Sequence, residues 1–196
     1  KQNMGEESVL LFLASDHQID AGADYTGAVS CGAQTAQLGK IVTFGVKPTE
    51  PATGFGYIEL GTSLIPDAHE VKRFVEKPDA PAASQMLKDG NYLWNSGIFM
   101  CRADVMLAEL ERFLPEVYQN AKSAVEEAQV DEDFIRLDEL SFSACPEISI
   151  DYGVMEKTDI AAVVTSSFTW TDLGSWDAVW KHSDKDDHGN ALAGNV

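Results

Sequence analysis

The sequence predicts an α/β fold in which a mostly parallel mixed sheet is flanked by helices and joined to an antiparallel portion. Three observations predict it. "SVLLFLAS" (residues 8–15) is a continuous apolar run that ends at a charge, the pattern of a strand buried on both faces. "ADYTGAVSCGAQTAQLG" (23–39) reads as a helix of small residues closed by Gly39, and "KIVTFGV" (40–46) as a second buried strand. Residues 8–46 then form a βαβ unit with a right-handed crossover. After that unit the pattern changes. "GYIEL" and "EVKRFVEK" alternate with period two, as antiparallel strands do.

The remaining elements follow in order. "DAPAASQMLKDG" (79–90) predicts a short helix stopped by Gly90, and "YLWNSGIFMCR" a further strand. From residue 103 to 128 the spacing of Val105, Met106, Leu110, Phe113, Leu114 and Val117 is helical, with Pro115 in the first turn of a second helix. "SIDYGVMEKT" (149–158) predicts another short helix. "IAAVVTSSFTWTDLG" predicts strands, and Ser175 is placed to cap "SWDAVWKHS". Residues 1–182 show no repeat and no linker and read as one domain portion. The polar, Gly-rich tail "DKDDHGNALAGNV", within residues 183–196, reads as the start of a connection to a following domain.

Composition narrows the function. The 196 residues are 44% apolar, enough for a proper core, and no apolar run approaches the roughly 20 residues of a membrane span. A formal net charge of −18 with no basic cluster argues against nucleic-acid and anionic-membrane partners. The start "KQNMGEES" lacks the features of a secretory signal, and Cys31, Cys101 and Cys145 are too scattered for a disulfide framework or a zinc site, so a reducing cytoplasm fits. A phosphorylated small molecule remains a suitable ligand if a placed cation or a divalent metal offsets its charge.

Asp16 and His17 follow the first strand, and Asp172 lies in "WTDLGSW" between strand and helix; a turn-capping role accounts for either aspartate alone. Two carboxylates at strand ends would also suit octahedral magnesium, which takes one or two carboxylates together with substrate phosphates. Trp170 and Trp176 are expected to be core anchors. Gly54 and Gly56 in "TGFGYIE" form either a glycine turn or a place where a ligand approaches the backbone. Asn95 stands in a strand that normally disfavours it, so its amide is expected to serve backbone groups or sugar hydroxyls. In "FVEKPDAP" (74–81), Glu76 and Lys77 reach water at a strand exit, or face a ligand if the chain turns before Pro78.

Taken together, "ASDH", "IVTFGVKPTEPATGFGYIELG", "RFVEKPDAP", "YLWNSGIFM", "SIDYGVMEKT" and "WTDLGSWDAVW" resemble, in order and spacing, the mannose-1-phosphate guanylyltransferases of the bacterial type often fused to a phosphomannose isomerase. The resemblance covers about residues 8–196. It implies a Rossmann-like nucleotidyltransferase fold and an enzyme that makes GDP-mannose and pyrophosphate from GTP and mannose 1-phosphate for polysaccharide biosynthesis. By the same resemblance Asp16 and Asp172 hold Mg2+, Lys77 contacts the sugar phosphate, Glu76, Asn95 and Gly56 contact the mannose, and Asp151 orients the sugar side. An in-line attack at the α-phosphorus agrees with that set, since it needs positioning and charge neutralisation more than a covalent nucleophile.

One family feature has no match in the sequence: the glycine-rich loop with Arg and Lys that follows the first strand and cradles the triphosphate. The chain is therefore expected to be a fragment lacking the fold's N-terminal strands and inactive by itself. An exposed sheet edge would then favour self-association, so a homo-oligomer is expected. Two other functions stay open: transfer to another sugar 1-phosphate, for instance thymidylyl transfer to glucose 1-phosphate, and a non-catalytic sugar-phosphate-binding fragment.

Overall fold

The computed structural model describes residues 5 and 7–192. In chain order the elements are β1 (Val9–Phe12), β2 (Gln18–Ile19), α1 (Ala23–Gln37), β3 (Ile41–Val46), β4 (Tyr57–Ile65), β5 (Ala68–Val75), α2 (Ala80–Asp89) and β6 (Tyr92–Arg102). There follow α3 (Ala103–Phe113), α4 (Pro115–Glu126), β7 (Gln129–Asp131), β8 (Phe134–Arg136), α5 (Glu139–Ser143), a π-helical turn (Asp151–Met155), β9 (Ala161–Ser166), β10 (Trp170–Thr171) and α6 (Trp176–His182). The local signals explain most of these ends. Asp79 Oδ1 accepts the Ala82 N–H at 2.9 Å to start α2, and Gly90, with φ +71°, closes it. Such a cap contributes about 1 kcal/mol. Pro115 begins α4, so the helical run breaks at Leu114 as expected.

The main sheet has the strand order β1-β6-β3-β9-β5-β4, with β4 also paired to β6. The pairings β6-β3-β9-β5-β4-β6 thus close a ring, from which β1 extends along the far half of β6. The α/β class and the mixed sheet match expectation, but the share of parallel pairing is smaller: among the described residues only β3–β9 pairs in parallel. The cause is β6. It inserts antiparallel between β1 and β3, so the two strands of the βαβ unit are separated by one strand rather than adjacent.

Alternation then sorts the core. Val42, Phe44, Ile98, Met100, Ala162 and Val164 pack with Ala28 and Ala36 of α1 on one face. Ile41, Leu93, Phe99, Cys101 and Val163 pack with Met106 of α3 and with Val154 and Met155 of the π-helical turn on the other. Tyr57, Tyr92 and Trp94 form a third cluster with Ala83 and Met86 of α2.

Two features differ from expectation, and a third lies where the sequence raised none. Residues 149–158 carry a π-helical turn, closed by the Glu156 N–H on Asp151 O at 3.0 Å, where an ordinary short helix is expected. Trp176 is 88% exposed rather than a core anchor, because it opens a two-turn helix that buries none of its residues. The β7–β8 hairpin and α5 arise in a strongly charged stretch without clear periodicity, and expose Phe134, Ile135 and Leu140.

Candidate functional site

The register of the ring builds the site. Val46, Trp94, Tyr57 and Val75 lie in one row across β3, β6, β4 and β5. One step further along the strands, Gly45 pairs with Asn95, the Asn95 N–H donates to Gly56 O at 2.8 Å, and Glu76 follows Val75. Three residues from distant parts of the chain, Asn95, Gly56 and Glu76, therefore share a row.

A β-bulge sets Asn95 apart. Thr43 pairs with Phe99 but Gly45 pairs with Asn95, so β6 carries two residues more than β3 across this interval. Gly97 absorbs the extra length at φ +71°, a conformation that costs a side-chain-bearing residue free energy. The Asn95 side chain, in a residue only 7% exposed, is then held on three sides. Its Oδ1 accepts the Thr43 hydroxyl at 2.7 Å and the Gly97 N–H at 3.2 Å, and its Nδ2 donates to Asp151 Oδ1 at 2.9 Å.

Glu76 stands across Gly56. Its side chain is only 10% exposed, and its Oε2 is buried without a hydrogen-bond partner. A Cβ at position 56 would lie 2.5 Å from that oxygen, so glycine is what leaves the carboxylate its place. Burial, reinforced by the charges of Asp151 and Glu156, holds the Glu76 carboxyl above its ordinary range against the lowering effect of Lys77. Burial likewise raises Asp151, partly offset by hydrogen bonds, including that from Asn95, and by Lys77.

The turn that would bring Glu76 and Lys77 to one site is present. Lys77 has φ +47°, rare for a residue with a side chain, while Pro78 beside it is buried. The Glu76 N–H is fixed by Glu156 Oε1 at 3.0 Å. Lys77 Nζ lies 3.7 Å from Glu76 Oε1, with the lysine side chain 58% exposed and so open to a ligand.

The aspartates lie elsewhere, at an antiparallel pair of two-residue strands. Trp170 pairs with Ile19 and Thr171 with Gln18, so Asp172 directly follows β10 while Asp16 and His17 directly precede β2 at the same end of the pair. Asp172 Oδ1 accepts the Gly174 N–H at 3.1 Å, which is the turn role its sequence context allows, and Asp16 is exposed. Two carboxylates at adjoining turns suit magnesium provided substrate oxygens complete its shell. Among the described residues no group of three or more His, Cys, Asp or Glu side chains is arranged to hold a metal. A line of rings joins the two regions: Phe55 meets Trp94 and Trp170 edge-on at 5.0 and 5.2 Å, and Trp170 meets His17 at 5.5 Å while donating its indole N–H to His17 Nδ1 at 3.3 Å. Trp170 is thus half buried and packs against the core as expected. The opposite half of the "GFG" pair does nothing similar, since Gly54 has no neighbour within 4 Å of a built Cβ.

Sequence reasoning missed Thr43 and Glu156. A threonine in "IVTFGV" is an ordinary strand residue, and nothing marks Glu156 until the fold brings it to the Lys77 turn. The thiols have no part here: all three cysteines are unpaired, and burial pushes Cys101 up to about 12.

An α/β domain with a buried polar row beside an exposed lysine, and two aspartates flanking a short strand pair, has the makings of a transferase that handles a polar, anionic substrate. The sequence model of the nucleotidyl transferase family matches residues 1–189, and the chain belongs to that family. Within it the similarity runs to proteins named mannose-1-phosphate guanylyltransferase. That of Sinorhizobium fredii is 53% identical over 192 residues, covering 98% of this chain and 38% of its own length. That of Salmonella typhimurium is 45% identical over 190 residues, covering 97% and 40%. A solved structure from Thermus thermophilus, described as a mannose-1-phosphate geranyltransferase, superposes with a TM-score of 0.77 at 33% identity, covering 88% of this chain and 49% of that one. The chain spans about two fifths of the length of these curated relatives.

Proposed function

We propose that this chain supplies the sugar-phosphate side of an enzyme that joins GTP and mannose 1-phosphate into GDP-mannose with release of pyrophosphate. The observation that carries the proposal is the row Asn95–Gly56–Glu76, with a buried carboxylate oxygen left unpaired beside a glycine that makes room for it. A buried unpaired acceptor costs about 1–3 kcal/mol, a cost that a ligand hydroxyl would remove. Glu76 then accepts from mannose hydroxyls, Asn95 donates to them, and Gly56 lets the sugar approach the backbone. Asp151 holds the Asn95 amide. Lys77, held by its bent backbone with Nζ 3.7 Å from Glu76 Oε1, offsets the charge of the sugar phosphate. Asp16 and Asp172 would hold Mg2+, which when bound neutralises phosphate charge during transfer. With the names of its relatives, this favours mannose over glucose and guanylyl over thymidylyl transfer.

No described helix is long and apolar enough to cross a membrane, and free thiols and a net charge of −18 support a cytoplasmic protein without nucleic-acid partners. The β1 strand, at one end of the strand order with Leu11 and Phe12 exposed and Leu13 exposed just after it, supports self-association, which sedimentation across a concentration series would detect. Calorimetry on residues 1–196 tests the main proposal. Mannose 1-phosphate is expected to bind and glucose 1-phosphate to bind on the order of tenfold more weakly. With GTP and Mg2+ present, no pyrophosphate release is expected, because no glycine-rich phosphate loop stands in the sequence. Equal binding of both sugar phosphates would point to a different sugar substrate. Rapid turnover would assign the triphosphate to residues given structural roles above.

A further inference from the structure

We propose that Thr43 is a positioning residue that locks and saturates the Asn95 side-chain oxygen, whose orientation the Gly97 N–H and Asp151 set, so that Asn95 faces the sugar only as a hydrogen-bond donor while Glu76 faces it as an acceptor. The inference rests on the sugar-phosphate function above and goes further, to how one hydroxyl of the sugar is selected.

The hydrogen-bond chemistry leaves little freedom. The Gly97 N–H can only donate, so the amide atom 3.2 Å from it must be the oxygen of Asn95. Thr43 Oγ1 lies 2.7 Å from that same oxygen. Two oxygens so close need a hydrogen between them, and only the hydroxyl carries one. Ile98 O, at 3.2 Å from Thr43 Oγ1, is the longer alternative acceptor. With two donors on it, Asn95 Oδ1 is saturated. On the other side Asp151 Oδ1 takes one Nδ2 hydrogen at 2.9 Å. One N–H remains.

Across Gly56 the Glu76 Oε2 acceptor is also without a partner. A hydroxyl seated between them would accept from Asn95 and donate to Glu76, satisfying both residues. A group that cannot both accept and donate leaves one of them buried and unpaired, so the pair selects for a hydroxyl. Thr43 touches no ligand in this scheme. It is fully buried in the middle of β3, 0% exposed, and acts through the amide.

The test uses residues 1–196 with Thr43→Val, which keeps the shape and removes the hydroxyl, Thr43→Ser, which keeps the hydroxyl, and Asn95→Ala, which assigns the side-chain amide resonances. In the unliganded protein Thr43→Val is expected to speed solvent exchange of the Asn95 side-chain amide protons by about tenfold and Thr43→Ser to restore it. Mannose 1-phosphate affinity is expected to fall about tenfold in Thr43→Val and to return to within about twofold in Thr43→Ser. Thr43→Cys, with a weaker donor of similar size, should fall between the two and serves if the valine variant does not fold. Unchanged amide exchange in the valine and cysteine variants would overturn the positioning role. Unchanged affinity with altered exchange would overturn its link to the sugar. Failure of the unaltered chain to bind mannose 1-phosphate would instead overturn the functional reading and the hydroxyl assignment with it, while amide exchange would still report on Thr43.

Discussion

Asn95 and Asp172 are both polar residues in strand regions of one small domain, yet their surroundings have little in common. Asn95 is buried, flanked by Thr43, Gly97 and Asp151, and placed by the pairing of long strands. Asp172 is half exposed at the end of a two-residue strand, with Gly174 as its hydrogen-bond partner. The first region is shaped before any ligand arrives, since the sheet fixes the Asn95 amide against Thr43, Gly97 and Asp151 and leaves Glu76 Oε2 facing it unpaired. The second has spare carboxylate capacity and needs oxygens from elsewhere to become a metal site. On the function proposed above, sugar recognition would be a property of the fold, whereas metal binding would be a property of the complex.

The largest effect that this difference implies is at Asn95. Asn95→Leu would leave the Thr43 hydroxyl, the Gly97 N–H and Asp151 without their partner in a buried place. A loss of about 3 kcal/mol or more is expected in denaturant unfolding, together with loss of mannose 1-phosphate binding. A cost under about 1 kcal/mol would mean that the amide network is not organising the site. Gly56→Ala comes next. The added Cβ would sit 2.5 Å from Glu76 Oε2, so the carboxylate must shift. A tenfold or so weaker affinity and a stability cost of about 1–3 kcal/mol are expected from calorimetry and melting.

Glu76→Gln separates charge from shape. The carboxyl is raised by burial first, so its stabilising effect is fully present below its ordinary value of 4.5 and is lost as pH rises through the folded value. The glutamine variant should melt higher than the unaltered chain near neutral pH, and the gap should close below pH 4.5. A gap that widens on acidification would mean that Glu76 is stabilised as the anion. The smallest effect is expected at Asp172. Asp172→Asn keeps the acceptor for Gly174 and should alter stability by no more than about 0.5 kcal/mol. Any enhancement by Mg2+ of nucleotide binding should disappear, which isothermal titration with and without the metal would detect.

How much of this was legible in the sequence follows the same division. Strands and helices with strong periodicity and clear punctuation, such as residues 79–90 and 92–102, appear where expected, because caps, glycines and apolar patterning act locally. Pairing partners do not announce themselves: nothing in "KIVTFGV" says that an antiparallel strand from residues 92–102 will separate it from residues 9–12. At the site, Asn95 could be singled out because an asparagine is unusual in a strand, and Gly56 because a glycine before a strand leaves room for a close approach to the backbone. Thr43 could not, since its hydroxyl matters only through a bulge that shifts the register by two residues. The same holds for Glu156, whose role depends on a π-helical turn indistinguishable in sequence from a short helix. Trp176 shows the opposite error, as a large apolar side chain suggested burial where the fold supplies no surface to cover it.

The most direct test is to titrate isotope-labelled residues 1–196 with mannose 1-phosphate in the absence of metal and nucleotide, and to map which resonances move. Shifts concentrated at Gly56, Glu76, Lys77, Asn95 and Asp151, with Asp16 and Asp172 unmoved until Mg2+ and GTP are added, are the expected result. Shifts centred on the two aspartates without metal, or a response that leaves the Asn95–Gly56–Glu76 row unchanged, would contradict the claim that the sheet alone prepares the sugar site.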